Sequence, residues 1–171
     1  MDKKWRFDTA AVHVGQQPDG KTRAVSQPLV PAVAYAFPDT DTAAAVVAGQ
    51  AEGTYYGRYG NPTTRTLEEK IAYLEKGEDA IGLSSGMAAI SSALLAFLQQ
   101  GDHVVVTKDI YGGTYNFVTQ MGPRFGISYD FVDCTDLALI EASIRPNTKA
   151  IYVETPSNPL LTVLDLRRIA D

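Results

Sequence analysis

The chain has 171 residues, of which 45% are apolar and 20% are charged, and its formal net charge is −5. This length and composition are typical of a folded chain of about one domain and not of a disordered one. The acidic balance has the opposite sign to a nucleic-acid-binding face or to a surface that adsorbs to anionic lipid. We therefore expect neither nucleic acid nor a membrane as a partner.

The sequence also lacks the features of an exported or metal-binding protein. Its longest apolar stretch, residues 88–98, is interrupted by two serines and is far shorter than the ~20 residues of a membrane helix. The first ten residues contain two aspartates and no apolar run, so they do not form a signal peptide. With Cys134 as the single cysteine and only two histidines, neither a disulfide nor a Cys/His metal site is expected. These features predict a cytoplasmic protein without a metal.

Residues 1–60 differ in character from the rest of the chain. They contain four prolines and show weak periodicity, so we expect an extended segment with one helical turn at 42–49. Two interpretations are open. The segment is either an arm on the protein's own surface or an arm that reaches a neighbouring subunit.

From Asn61 onward, helical and strand patterns alternate. Asn61 and Pro62 form a helix start, because asparagine caps the first turn and proline fits the first helical position. This helix is expected to end at Gly77. The other predicted elements are helices at 86–98, 114–121, 136–144 and 163–170 and strands at 80–83, 103–107, 127–132 and 149–154. Such alternation predicts an α/β fold with a mostly parallel sheet. The helix at 86–98 is apolar nearly all round and is expected to be well buried.

Ligands of parallel sheets bind at the carboxyl ends of the strands, and three loops lie there in the predicted fold. The first contains Ser85, Gly86 and Met87 and leads into a helix, whose free N–H groups suit a phosphate. It carries neither the Walker A lysine nor a GxGxxG pattern. On its own it is better explained as an ordinary capped turn.

A second candidate lies in residues 55–62, where Tyr56 stands two positions before Arg58. The planar guanidinium of arginine binds phosphate through paired hydrogen bonds. In an extended stretch the tyrosine would point the same way as the arginine. An aromatic loop with a solvated arginine would show the same pattern.

The other two loops follow predicted strands. Tyr111 precedes Gly112 and Gly113, where its ring could stack on a planar cofactor and its hydroxyl could move a proton. A tyrosine packed at a loop is the alternative. Asn158 lies between two prolines and offers both a donor and an acceptor, although a proline-stiffened turn explains this loop equally well.

Taken together, these segments resemble the Cys/Met metabolism enzymes that use pyridoxal 5′-phosphate (PLP), which include cystathionine synthases and lyases, methionine γ-lyase and O-acetylhomoserine sulfhydrylase. The motifs that carry the resemblance are Tyr56-Gly57-Arg58, Asn61-Pro62-Thr63, Ser85-Gly86-Met87, Tyr111-Gly112-Gly113-Thr114 and Glu154-Thr155-Pro156-Ser157-Asn158-Pro159. They stand in the family's order and spacing. The resemblance implies the fold type I of PLP-dependent transferases, here with an incomplete, mostly parallel sheet and flanking helices.

The resemblance also implies roles for single residues. Ser85, Gly86 and Met87 would bind the PLP phosphate, chiefly through backbone N–H groups. Tyr111 would stack on the pyridine ring and act as acid and base toward the leaving group. Asn158 would lie near the 3′-oxygen of the cofactor.

The resemblance further implies an assembly of several copies. Tyr56 and Arg58 would reach the phosphate of PLP bound to the adjacent subunit. Residues 1–60 would be the arm that contacts this subunit, and residues 61–171 would be the first part of the large PLP-binding domain. A homo-oligomer made of two close dimers is the expected state.

The activity implied is elimination or replacement at the β- or γ-carbon of a sulfur-containing or O-acylated amino acid. The residue at position 113 slightly disfavours one member of the family. Methionine γ-lyases typically carry a cysteine where this chain has Gly113.

The chain departs from the family in its length. It lacks the segment with the Schiff-base lysine and the strand with the aspartate that pairs with the pyridine nitrogen. None of its seven lysines stands in the required context. Because PLP chemistry needs both groups, we expect the chain alone to be inactive.

Other classes of protein remain as alternatives. The chain could be a non-catalytic one that binds a phosphate ligand or pairs with a full-length homologue. An aminotransferase is disfavoured by the Tyr56 and Arg58 pair and by the Tyr-Gly-Gly-Thr loop. A nucleotide-binding module is disfavoured because no nucleotide motif is present.

Overall fold

The computed structural model describes residues 5–18, 20 and 22–171. The N-terminal residues 1–4, with Lys3 and Lys4, and the further lysine Lys21 lie outside the described residues. The chain divides into two compact units, of which the first ends at Gly82 and the second comprises Leu83–Asp171. This division does not coincide with the expected end of the arm at residue 60, and the role of residues 1–60 as an arm stays a prediction.

The described residues of the first unit form the helices α1 (Phe7–His13), α2 (Thr40–Val47) and α3 (Pro62–Glu75). The expectation of a mainly extended segment with one helical turn missed α1. No side chain caps the start of α1, so its sequence carries no capping signal and only Asp8 in the first turn favours a helix. Contacts with α3 stabilise it instead: Lys70 Nζ donates to Val12 O at 3.2 Å, and Ala10 is fully buried.

The ends of α3 follow the predicted rules with one change. Asn61 Oδ1 accepts from the Thr63 N–H at 2.8 Å, and Pro62 occupies the first helical position. At the other end Lys76, and not Gly77, adopts the left-handed conformation, with φ of 59°. Gly77 then donates its N–H back to Ala72 O at 2.9 Å, which closes the helix.

The predicted strand at 80–83 was wrong. Ile81 is 80% exposed and Leu83 is 46% exposed, and the segment is irregular. Its Gly82 N–H donates to the Glu68 Oε1 at 2.8 Å instead of to another strand. An apolar run becomes a strand only where a neighbouring strand accepts its hydrogen bonds, and none of the described strands does so.

The second unit alternates helices and strands, as predicted, with bounds shifted by a few residues. Its elements are α4 (Gly86–Phe97), β1 (His103–Thr107), α5 (Gly112–Asn116), β2 (Ser128–Val132), α6 (Leu137–Ser143), β3 (Thr148–Tyr152) and α7 (Leu166–Ala170). The helix predicted from residue 114 begins two residues earlier. It continues beyond α5 as a π-helical turn, Phe117–Met121, and a 3-10 turn, Gly122–Phe125.

The three strands form a parallel sheet in the order β2-β1-β3. The central strand is fully enclosed, since Val104, Val105 and Val106 are at most 1% exposed. One apolar cluster packs α4 and the α5 region on the side of Val104 and Val106. A second cluster is formed by Cys134, Ile140 and Leu164 together with Ile151 and other alternate strand residues, which point to the other side. All three carboxyl ends therefore lie at one edge of the sheet.

Helix α4 is less buried than we expected. Within it only Leu94 is buried, whereas Leu95 is 40% exposed and Phe97 is 75% exposed. One face of the helix packs on the sheet. The rest of its apolar surface is not covered by any residue that the structure describes in this unit.

Two kinds of feature are absent from the described part of the chain. None of its helices combines the length and the hydropathy required to span a bilayer. Among the same residues, no three His, Cys, Asp or Glu side chains are grouped so that they could hold a metal ion.

Candidate functional site

The start of α4 offers backbone donors that no described residue uses. Ser85 Oγ accepts from the Ala88 N–H at 3.1 Å, and Ser85 O accepts from the Ala89 N–H at 3.0 Å. The two N–H groups before them, those of Gly86 and Met87, have no acceptor among the described residues. They are the unpaired donors that a helix presents at its first turn, where an anion is also favoured by the helix dipole.

The first residue of this helix is not crowded. A β-carbon placed on Gly86 would meet no atom within 4 Å outside its chain neighbours and its own helix backbone. The predicted phosphate loop, Ser85 to Met87, is therefore a capped helix start with two free N–H groups. Such a helix start could hold a phosphate.

Tyr111 lies beside this helix start. Its ring packs on the backbone of Gly113, since a β-carbon at position 113 would lie 2.4 Å from the tyrosine Cε1. The same point is 2.8 Å from Met87 Sδ. The absence of a side chain at Gly113 thus allows the Tyr111 ring and Met87 to approach each other. The structure brings these two predicted site residues together, and the tyrosine remains 46% exposed.

Glu154 connects the loop after β1 to the end of β3. Its Oε2 accepts from the backbone N–H of Tyr111 at 2.8 Å. Its Oε1 accepts from Thr114 Oγ1 at 3.3 Å and from Tyr152 Oη at 3.2 Å. Burial raises the pKa of the Tyr152 phenol above its usual range, and the Glu154 carboxylate adds to this rise. Sequence reasoning assigned Glu154 no role, because the two loops are 43 residues apart and no local pattern links them.

Asn158 lies in a separately ordered loop after β3. The loop is fixed by its own hydrogen bonds, with the Ser157 N–H donating to Thr162 O at 2.9 Å and the Leu164 N–H to Thr155 Oγ1 at 2.9 Å. Asn158 itself is exposed, and its side chain makes no hydrogen bond with any residue that the structure describes. No described contact joins it to Tyr111 or Met87.

Tyr56 and Arg58 belong to the first unit, where they lie in a turn. The Tyr59 N–H donates to Tyr56 O at 2.9 Å, so the assumption of an extended stretch was wrong. Arg58 still contacts Tyr56: its guanidinium carbon lies 5.3 Å from the centroid of that ring and 5.0 Å from the centroid of Tyr59. In the described part of the chain no carboxylate pairs with this arginine, which leaves its charge available to an anion.

Lys108 is the lysine next to the Tyr111 loop, and it is engaged elsewhere. Its Nζ donates to Asp133 Oδ2 at 2.7 Å. This bond raises the pKa of Lys108 and, together with Thr135, lowers the pKa of Asp133 to about 2. A lysine that is held protonated in an ion pair is a poor nucleophile toward an aldehyde.

Comparisons with known proteins identify the family of the chain. A family model described as "Cys/Met metabolism PLP-dependent enzyme" matches residues 8–171. The chain is 46% identical over 166 residues to cystathionine β-lyase MetC of Bacillus subtilis, covering 96% of this chain and 40% of that relative. It is 41% identical over 167 residues to O-succinylhomoserine sulfhydrylase of Pseudomonas aeruginosa, covering 96% of this chain and 41% of the relative. The chain thus spans about 40% of the length of the curated relatives it matches, in agreement with the predicted partial match to the family.

Solved structures of the same kind share the fold. The crystal structure of MetB from Corynebacterium glutamicum superposes with a TM-score of 0.89 at 34% identity, over 98% of this chain and 42% of that one. A putative O-acetylhomoserine (thiol)-lyase from Campylobacter jejuni, which contains a pyridoxyl-lysine phosphate, gives a TM-score of 0.90 at 36% identity, over 96% and 40%. The fold is therefore that of PLP-dependent Cys/Met enzymes, as predicted, and the chain belongs to the Cys/Met metabolism family of PLP-dependent enzymes.

Proposed function

We propose that this chain forms part of a cytoplasmic PLP-dependent enzyme that catalyses elimination or replacement at the β- or γ-carbon of a sulfur-containing or O-acylated amino acid. The observation that carries the proposal is the approach of the Tyr111 ring to the side chain of Met87, a residue of the helix start whose first N–H groups are unpaired among the described residues. Its relatives include a cystathionine β-lyase, an O-succinylhomoserine sulfhydrylase and a cystathionine γ-synthase, whose names support this chemistry. The single, buried Cys134 fits a reducing compartment.

The start of α4 would hold the phosphate of the cofactor. Gly86 and Met87 would donate their backbone N–H groups to it, while Ser85 keeps the helix start in place through its bond to the Ala88 N–H. Once bound, PLP supplies an electron sink for the negative charge that develops on the amino-acid substrate.

Tyr111 would orient the ring and move a proton. Its half-exposed ring offers a stacking surface next to the phosphate site, and its phenolic oxygen would give or take the proton at the leaving group. Asn158 would donate to the 3′-oxygen of the cofactor with the amide that its own loop leaves unused.

Tyr56 and Arg58 would serve the site of an adjacent copy of the chain in a homo-oligomer made of two close dimers. The two tyrosine rings around Arg58 hold the guanidinium in place without neutralising it. A fixed and unpaired guanidinium is suited to a phosphate that another subunit presents.

The chain alone is expected to be inactive, because none of its seven lysines stands in the family's Schiff-base context and Lys108, next to the Tyr111 loop, is held in an ion pair. The alternative function is a non-catalytic chain that binds the phosphorylated ligand or pairs with a longer homologue. Binding and self-association without turnover would favour this alternative.

The phosphate site is tested with a matched pair of variants at position 86. Gly86→Pro removes one donor, and proline is tolerated at the first helical position. Gly86→Ala keeps the N–H and meets no neighbour within 4 Å. The ligand is 4′-deoxypyridoxine 5′-phosphate, which lacks the aldehyde and cannot react with surface lysines.

We expect the proline variant to bind this ligand about ten-fold more weakly, which is the value of one hydrogen bond to a charged group. The alanine variant should bind as the parent chain does, and calorimetric titration measures both. Equal affinities for the proline and alanine variants would contradict the proposed phosphate site.

A further inference from the structure

Helix α5 begins without a capping side chain of its own. The residue before it is Tyr111, whose side chain makes no hydrogen bond to the first turn. Serine, threonine, aspartate and asparagine normally fill this position, and a tyrosine cannot replace them. The two residues that follow, Gly112 and Gly113, have the greatest conformational freedom of any residue type. The backbone at Tyr111 therefore needs a restraint from elsewhere in the fold.

Glu154 supplies that restraint from β3. Its carboxylate accepts the Tyr111 N–H at 2.8 Å and the hydroxyl of Thr114, which is fully buried in the first turn of α5. The hydroxyl of Tyr152 donates to the same carboxylate and holds it from the strand side. One side chain thus connects the start of α5 to the end of β3, and its bonds are of the stronger, charge-assisted kind.

A second restraint acts on the other end of the same residue. The Tyr111 ring is seated on Gly113 and faces Met87 Sδ, while the residue before it, Ile110, is 9% exposed and belongs to the core. Glu154 fixes the backbone and Gly113 admits the ring. Neither contact alone determines where the ring lies.

We propose that Glu154 is a positioning residue for Tyr111 and holds its ring in the orientation in which it stacks on a bound pyridoxine ring. The inference rests on the proposed function for the stacking role of Tyr111. Glu154 itself touches neither the cofactor nor the substrate in this proposal. Its effect passes through the Tyr111 N–H.

The proposal predicts that a change at Glu154 affects binding of the pyridoxine ring but not binding of the phosphate. Glu154→Met keeps the volume of the side chain but removes both acceptor oxygens. Tyr152→Phe removes another partner of the same carboxylate and retains the bond to Tyr111. Glu141→Gln changes an exposed carboxylate on α6 and is the surface control. The two probes are 4′-deoxypyridoxine 5′-phosphate and inorganic phosphate.

We expect Glu154→Met to weaken the affinity for the pyridoxine phosphate about three- to ten-fold, which is the value of an aromatic stacking contact. Its affinity for inorganic phosphate should stay that of the parent chain. Tyr152→Phe should weaken the affinity for the pyridoxine phosphate less than Glu154→Met does, because the bond from Tyr111 to Glu154 is retained. Glu141→Gln should change neither affinity. A general loss of structure would weaken both ligands together, so the difference between the two probes is the specific readout.

Amide hydrogen exchange gives a second readout that needs no ligand. In Glu154→Met the Tyr111 amide should exchange at least about ten-fold faster, while the amide of Val105 in the core keeps its protection. Should Glu154→Met fail to fold, Glu154→Gln serves in its place. It keeps one uncharged acceptor, and the Tyr111 amide should exchange about five-fold faster.

The outcomes distinguish the two proposals. The role of Glu154 would be overturned by any of three results. The first is an unchanged exchange rate of the Tyr111 amide in Glu154→Met, and the second is an equal loss of affinity for both probes in that variant. The third is a loss of affinity in Tyr152→Phe that equals the loss in Glu154→Met. Failure of the parent chain to bind either probe would overturn the proposed cofactor site, while the exchange rates would still decide whether Glu154 holds Tyr111.

Discussion

The ring of Tyr111 lies against the α-carbon of Gly113, so closely that a β-carbon at position 113 would stand 2.4 Å from the ring. The neighbouring Gly112 has no such contact, since a β-carbon there would meet nothing within 4 Å. The two adjacent glycines at the start of α5 therefore have different steric surroundings. One makes room for an aromatic ring, and the other is free of steric demands.

This difference predicts opposite results for two alanine variants. Gly113→Ala should displace the Tyr111 ring or Met87, lower the free energy of unfolding by about 1–3 kcal/mol and weaken binding of 4′-deoxypyridoxine 5′-phosphate. Gly112→Ala should leave binding unchanged. Urea unfolding and calorimetric titration of both variants check this. Matching behaviour of the two would show that the ring is not seated on Gly113.

Elements with strong local signals were predictable from sequence in both units. Strand β1 is a continuous β-branched run, and the helix start at Asn61 and Pro62 carries two local signals, so both were predicted correctly. Helix α1 has no capping signal and depends on contacts with α3. One of these contacts joins Val12 to Lys70, which lies 58 residues further along the sequence. The run at 80–83 has the composition of a strand but pairs with none of the strands that the structure describes. A local sequence pattern predicts a helix or a strand correctly only where interactions within that segment also determine its stability.

The same limit applies to the candidate site. Ser85, Gly86 and Met87 could be found from sequence because a glycine after a serine at a helix start is a local pattern. That Tyr111 meets Met87 depends on how α4 and α5 pack, which no spacing rule provides. Glu154 was missed for the same reason, since its three partners come from two different elements.

The cap of α3 gives a prediction for the first unit. Asn61 accepts from the Thr63 N–H at 2.8 Å and donates its side-chain amide to Val30 O at 2.7 Å. Asn61→Ala should therefore lower the free energy of unfolding by about 1–2 kcal/mol. Gln50→Ala, at an exposed position without side-chain hydrogen bonds among the described residues, is the control and should have no effect. Thermal unfolding followed by circular dichroism measures both, and equal midpoints would refute the cap.

Lysine reactivity tests the expectation that the chain alone is inactive. We expect incubation with PLP and borohydride to label no lysine selectively, and Lys108 to be labelled less than the exposed Lys76, because the bond to Asp133 raises the pKa of Lys108. Peptide mass mapping gives the label at each lysine. In parallel, the release of a 2-oxo acid from cystathionine should not exceed that caused by free PLP. A single preferentially labelled lysine together with turnover would refute the prediction.

Stability should depend on pH through His103 in β1. The side chain is fully buried, with Nδ1 2.8 Å from Thr148 Oγ1, and Arg145 lies near it. Burial lowers the pKa of His103 below the usual 6.5, and the charge of Arg145 lowers it further, although Asp130, 3.3 Å from Nε2, acts in the opposite direction. The folded chain therefore binds fewer protons than the unfolded chain just below pH 6.5, and the free energy of unfolding falls as the pH decreases through this window.

The variant His103→Gln removes this titration and supplies the comparison. Urea unfolding of the parent chain at a series of pH values from about 7.5 to 5 should show a steeper loss of stability below about 6.5 than unfolding of the variant does. The variant will be less stable throughout, because a smaller side chain fills a fully enclosed position, so the slope with pH is the quantity to compare. Parallel slopes would mean that His103 is not the group whose protonation opposes folding. A parent chain that gains stability toward pH 5 would mean that Asp130 outweighs both burial and Arg145 in setting the pKa of this histidine.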